Sequence, residues 1–147
     1  MEPWICHEAG HAITALHLGF RVHSIEIFQG KPRTMCDLND AAKTNEERYL
    51  FLAGGIAGET CDLRDFDRTA CAADQAKISE WGGKPIETYL PAASEIINVH
   101  KGPFRELKKK ITSRMLERRI EGMVAGSGNT FEVLSRAEIE QIWNTFQ

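Results

Sequence analysis

The chain has 147 residues, a formal net charge of −3, 42% hydrophobic residues and 27% charged residues. That length suffices for a domain with its own core, and the composition is that of an ordinary globular protein rather than a disordered or fibrous one. The near-neutral charge offers no broad surface for a polyanion, so nucleic acid is not an expected partner. No apolar stretch approaches the roughly 20 residues that span a bilayer, so no membrane segment is expected either.

The N-terminus lacks the basic region of a secretory leader, and the run from Trp4 to Leu18 is interrupted by His7, Glu8 and His11. Pro3 suits the first turn of a helix, where a missing N–H costs nothing. Trp4, Ile5, Ala12, Ile13, Leu16 and Leu18 come next at broadly helical spacing, and Gly19 is the expected C-terminal stop. From Arg21 to Phe28 the apolar period shortens towards two, with Val22, Ile25 and Ile27. Gly30 and Pro32 come after them, so a strand and a turn are expected. A second short strand is expected around Thr34 to Leu38. Thr44 with Glu47 is a capping box that opens a helix through Tyr49, Leu50, Leu52 and Ile56. Gly54, Gly55 and Gly58 weaken that helix intrinsically, which implies that another backbone packs closely against it. Asp62 to Thr69 reads as a loop; helix resumes from Ala72 to Trp81, and Gly82-Gly83-Lys84-Pro85 ends it. Further helices are expected over Pro91 to His100 and Phe104 to Val124. The second has Leu107, Ile111, Met115, Ile120 and Met123 on one side and the run Lys108-Lys109-Lys110 on a solvated face. Gly126-Ser127-Gly128-Asn129 reads as a loop. Ser135 with Glu138 is another capping box, opening a last helix through Ile139, Ile142 and Trp143. The expectation is one domain over residues 1–147, mainly α within an α+β class, with a small β element after the first helix.

The chemistry concentrates in His7-Glu8-Ala9-Gly10-His11. On a helix, histidines four apart stand one turn apart on the same face, so both imidazoles can reach one ion. Glu8 lies beside them, where it can act as general base on a water that zinc has made acidic. Gly10 leaves space on one side of the helix for a substrate or a neighbouring strand. A catalytic zinc takes three protein ligands and keeps an open position, so a third ligand is required. The candidates further along are Glu59, Asp62, Asp65, Asp67 and Asp74, and spacing does not choose among them. His17 and His23 read as surface or internally satisfied histidines. The four cysteines, Cys6, Cys36, Cys61 and Cys71, match no paired zinc-binding spacing. They read as thiols of a protein in a reducing compartment, hence a cytoplasmic one.

The motif and the segments after it resemble the protease domain of the FtsH peptidases, peptidase family M41. His7-Glu8-Ala9-Gly10-His11-Ala12 matches the family's metal-binding helix, and Val22-His23-Ser24-Ile25-Glu26-Ile27 is similar to the strand after it. Ala53-Gly54-Gly55-Ile56-Ala57-Gly58-Glu59 resembles the family's Gly-Gly-Arg-x-Ala-Glu segment, with Ile56 in place of the Arg. Thr69-Ala70-Cys71-Ala72-Ala73-Asp74 resembles its Thr-Gly-Ala-Ser-Asn-Asp segment, with Thr69 and Asp74 in register and Ala70 and Ala73 in place of the Gly and Asn. The resemblance covers about the first half of the chain. It implies a helical zincin domain with His7, His11 and Asp74 as zinc ligands and Glu8 as general base. Glu59 is the runner-up third ligand, with a place behind the ligands or on the helix surface as its alternative role, and Asp67 comes next.

The expected function is that of a zinc-dependent metalloendopeptidase acting on protein or peptide substrates. Two other readings remain open: a catalytically silent zinc-binding regulatory domain, and a zinc hydrolase of a non-peptide amide or ester. The chain contains no P-loop, so an ATPase that would feed it folded substrates would have to be a separate partner. FtsH-like hexamers depend on their ATPase rings, so a monomer or dimer is expected here. Zinc peptidases often bind an extended substrate along a sheet edge. The strand Arg21 to Phe28, or its partner near Met35, is the expected edge, unless that strand only covers the metal helix.

Overall fold

The computed structural model of the protein describes residues 2–120 and 130–147. It is mostly helical, with a small three-stranded antiparallel sheet, as the α+β expectation required. Helix α1 (Pro3–Leu18) starts with Pro3 in its first turn and stops at Gly19, which adopts φ +81° and caps the last carbonyls. Every residue of α1 from Ile5 to Ala15 is buried, so this helix is enclosed on all sides rather than laid on a surface.

Strands β1 (Val22–Phe28) and β2 (Lys31–Cys36) form a hairpin. Its two-residue turn, Gln29-Gly30, has φ +49° and +78°, the double left-handed conformation whose twist matches a tight hairpin. A third strand, β3 (Phe131–Ser135), pairs with the other side of β1, giving the order β2-β1-β3. This strand was not expected: it is five residues long and runs straight into the cap of the next helix. The central position of β1 also corrects one expectation. β1 has no free edge to offer, whereas β2 has one.

The Thr44–Glu47 capping box opens α2 (Asn45–Leu63) as its sequence implied. α2 continues two residues into the stretch expected as a loop and ends at Arg64, which has φ +58°. Helix α3 (Arg68–Glu80) also starts earlier than its apolar pattern suggested. Asp67 accepts hydrogen bonds from the N–H groups of Thr69 and Ala70 and so caps a helix that begins before Ala72. A 3₁₀ turn (Ile86–Thr88) leads into α4 (Leu90–Val99), which precedes α5 (Lys101–Ile120) and α6 (Arg136–Thr145). The expected continuation of α5 through Met123 to Val124, and the loop Gly126–Asn129, lie outside the described residues. The second capping box, Ser135 with Glu138, opens α6. One expectation for α5 is overturned. Lys108 is buried, paired with the Asp62 carboxylate and set 4.2 Å from the centre of the Phe104 ring, while Lys109 and Lys110 stay solvated.

The contact that positions the site is α1 against α2. A Cβ on Gly10 would run into the Gly54 carbonyl and come within 3.0 Å of the Gly58 Cα, and one on Gly58 would meet the Cys6 carbonyl. The two backbones therefore touch with no side chain between them, which is the close packing that Gly54 and Gly58 implied. The space beside Gly10 is filled by this helix, not by a substrate or a strand. Gly58→Ala forces backbone against backbone, where no side chain can yield. It is expected to destabilise the fold by about 3 kcal/mol, despite alanine's better helix propensity, measured by urea unfolding.

Candidate metal centre

His7 and His11 project from one face of α1 towards α2, and their Nε2 atoms are 3.0 Å apart. The other nitrogen of each ring has a partner. His7 Nδ1 lies 2.7 Å from Oε2 of Glu59, and His11 Nδ1 lies 2.8 Å from the main-chain carbonyl of Phe51. A carboxylate and a carbonyl both accept, so each Nδ1 carries the proton and each Nε2 turns a lone pair inward. Asp74 arrives from α3. Its Oδ2 lies 3.1 Å from His7 Nε2 and 3.4 Å from His11 Nε2. That oxygen is buried and forms no hydrogen bond.

Three electron-pair donors thus converge on one point, and the unbonded, buried Asp74 Oδ2 is the kind of group that a bound cation would satisfy. A tetrahedral ion with bonds of about 2.0–2.1 Å sets neighbouring donors roughly 3.3 Å apart. The observed separations of 3.0, 3.1 and 3.4 Å lie close to that. Two imidazoles and a carboxylate are a donor set that suits zinc. Among the described residues, His7, His11 and Asp74 form the one cluster of this kind. Gly55 of α2 lies beneath it: a Cβ there would stand 2.5 Å from His7 Nε2 and 2.6 Å from His11 Nε2.

The charges point the same way. Burial works to lower the pKa of His7, but its contacts with Asp74 and Glu59 and the nearby charge of Glu8 outweigh that and push it up to about 10. Burial favours a neutral Asp74, yet His11 and His7 hold its carboxyl at about 2. Both shifts favour a positive charge at the centre, whether an extra proton on His7 or a metal ion.

Of the other carboxylates expected as candidates, none joins the cluster. Glu59 is fully buried behind His7; its second oxygen accepts the N–H of Asp67 at 2.9 Å, tying the start of α3 to the same residue that orients His7. Asp62 pairs with Lys108, Asp65 bonds the neighbouring Phe66 N–H, and Asp67 caps α3. Glu8 is buried to 5% exposure, and its Oε1 lies 2.8 Å from the hydroxyl of Thr34 on β2. Thr34 carried no signal in the sequence, because its role depends on which strand residue faces α1. His17 is hydrogen-bonded with His100 and His23 with Asp37, and neither histidine approaches the centre. None of the four cysteines is in a disulfide.

The cluster opens into a cleft of roughly 660 Å³. One wall is β2 from Lys31 to Thr34, the other is the α3 face of Thr69, Ala73 and Lys77, and Glu8 lies between them on the floor. No family model matches the chain, and no curated protein matches it.

This geometry has two measurable consequences. Gly55→Ala pushes a methyl group against both Nε2 atoms while favouring helix by about 1 kcal/mol. It should abolish stoichiometric zinc binding, read by metal analysis, and leave the far-UV circular dichroism intact. The second concerns pH. A histidine raised from 6.5 to about 10 stabilises the metal-free fold fully below pH 6.5, and this contribution is lost as pH rises through 10. A zinc ion held by His7 would take the place of that proton, so a rise in melting temperature on adding zinc to chelator-treated protein should grow over the same window.

Proposed function

We propose that this protein is a zinc-dependent metalloendopeptidase of the FtsH type, with His7, His11 and Asp74 holding the ion and Glu8 as general base. The observation that carries the reading is the convergence of two histidine Nε2 atoms and the buried, unbonded Asp74 Oδ2 on one point beside Glu8. Zinc, when bound, supplies Lewis acidity that polarises a carbonyl and brings the pKa of water towards neutrality.

The chain's own groups have distinct tasks in this scheme. Glu8 takes a proton from the attacking water and returns it to the leaving amine. Glu59 holds His7 in the Nδ1–H tautomer that turns Nε2 inward, and the Phe51 carbonyl does the same for His11. β2 offers its free edge to an extended substrate. In a two-residue hairpin closed at Phe28 and Lys31, the backbone groups of Pro32 and Thr34 face away from β1. Pro32, which has no N–H to donate to a neighbour, is tolerated on such an edge. A silent zinc-binding domain would give Glu8 no task, whereas here that carboxylate is held at the cleft floor by Thr34.

The substrates we propose are unfolded segments and peptides, with any ATPase that supplies them a separate protein. No helix among the described residues is long and apolar enough to cross a membrane. Four scattered cysteines outside any disulfide suit the reducing, cytoplasmic setting we propose.

Metal analysis and a peptide-cleavage assay test the reading together. Wild type should hold about one zinc per chain, Asp74→Ala should lose it, and Glu59→Ala should bind it about 10- to 100-fold more weakly. Glu8→Gln should keep the zinc and lose cleavage. Zinc-loaded wild type that stays inert towards a broad library of unfolded peptides would defeat the peptidase assignment.

A further inference from the structure

Glu8 is set by a residue from another element. The Thr34 hydroxyl oxygen lies 2.8 Å from Glu8 Oε1 and 3.1 Å from the main-chain carbonyl oxygen of the same residue. A hydroxyl has one proton to donate, and the nearer, charged acceptor is the stronger partner. With Oε1 engaged in this way, Oε2 is the oxygen left to meet a proton at the cleft floor.

The strand cannot shift to place another residue there. Thr34 is paired with Ile25, which is fully buried on β1, and β1 is held on its other side by β3. A one-residue slip of β2 would turn Thr34 to the opposite face of the sheet and bring Arg33 or Met35 against Glu8, while Ile25 stays in the core on β1. The Gln29-Gly30 turn fixes the same register from the hairpin end.

We propose that Thr34 is the positioning residue for Glu8, and that β2 thereby couples substrate seating to the orientation of the base. The backbone of Thr34 lies on the free edge of β2 while its side chain holds the carboxylate, so an extended chain paired along that edge sits against the residue that aims Glu8. The inference rests on Glu8 acting as the base in the proposed reaction.

The test uses the zinc-loaded protein with Thr34→Val, which keeps the shape of the side chain and removes the hydroxyl, and with Thr34→Ser, which restores it. Thr34→Val should retain stoichiometric zinc and unchanged KM, and lose about 10- to 100-fold in kcat, the effect of removing a hydrogen bond to a charged group. Thr34→Ser should recover most of that loss. A second readout needs no turnover. Acetohydroxamate chelates a metal and gives its proton to a neighbouring carboxylate, whereas imidazole only coordinates. Thr34→Val should weaken acetohydroxamate about tenfold and leave imidazole unchanged, and the effect should vanish in a Glu8→Gln background.

A Thr34→Val protein with wild-type acetohydroxamate affinity, or one weakened equally with and without Glu8, overturns the positioning role. If acetohydroxamate shows this pattern but no peptide is cut, Thr34 does hold Glu8 and the peptidase assignment is the part that fails.

Discussion

The backbone-to-backbone contact of α1 and α2 is the constraint on which the site depends. Two helices separated by ordinary side chains have axes 8–10 Å apart. Here Gly10, Gly54 and Gly58 remove the side chains at the crossing, and the peptide groups meet directly. This closeness lets Glu59 of α2 reach His7 and lets the Phe51 carbonyl reach His11. Both histidine rings are thus oriented by the helix opposite, and Gly55 leaves the space into which their Nε2 atoms project. The glycines that weaken α2 as an isolated helix are the ones that make its contact with α1 chemically useful.

The remaining donor comes from a more lightly packed element. Among the residues of α3 only Ile78 is buried. Polar ties hold it at each end: Glu59 accepts the Asp67 N–H, Gln75 accepts the Ile86 N–H at 2.6 Å, and the Tyr49 hydroxyl donates to the Trp81 carbonyl. Asp74 lies between those ties. Glu59 therefore acts on both sides of the centre, turning His7 from behind and fixing the start of the helix that presents Asp74.

The parts of this arrangement that could be seen in the sequence are those written in local patterns. Thr44 with Glu47 and Ser135 with Glu138 announce helix starts because a capping box is complete within four residues. His7, Glu8 and His11 share a helix face for the same local reason. The glycines of α2 announced a close neighbour but not which one. What stayed hidden depended on contacts distant in the chain. β3 exists because β1 had an unpaired side for it to fill, and Lys108 is buried because Asp62 waits at the end of α2. Spacing could not choose between Glu59 and Asp74, since both carboxylates come close to His7. Only the fold distinguishes the one that meets Nδ1 from the one that meets Nε2.

The distribution of buried charge gives the site its character. A charge removed from water is tolerable when it is paired and hydrogen-bonded. Lys108 meets that condition through Asp62, Glu59 through His7 and the Asp67 N–H, and Glu8 through Thr34. Asp74 Oδ2 does not: it sits buried against the Nε2 atoms of two imidazoles whose Nδ1 atoms are engaged on the far side of each ring, and it forms no hydrogen bond. The surrounding structure is too well fixed to relax this away. α1 is enclosed, Gly55 is backed by the helix crossing, and α3 is tied at both ends. Among the described residues, Lys108, Glu59 and Glu8 have their partners and Asp74 Oδ2 has none, which places an unmet electrostatic demand at this point. That point opens onto the cleft that Glu8 and β2 also line, so under the proposed function a cation held there would lie beside both the proposed base and the strand edge proposed to seat a substrate.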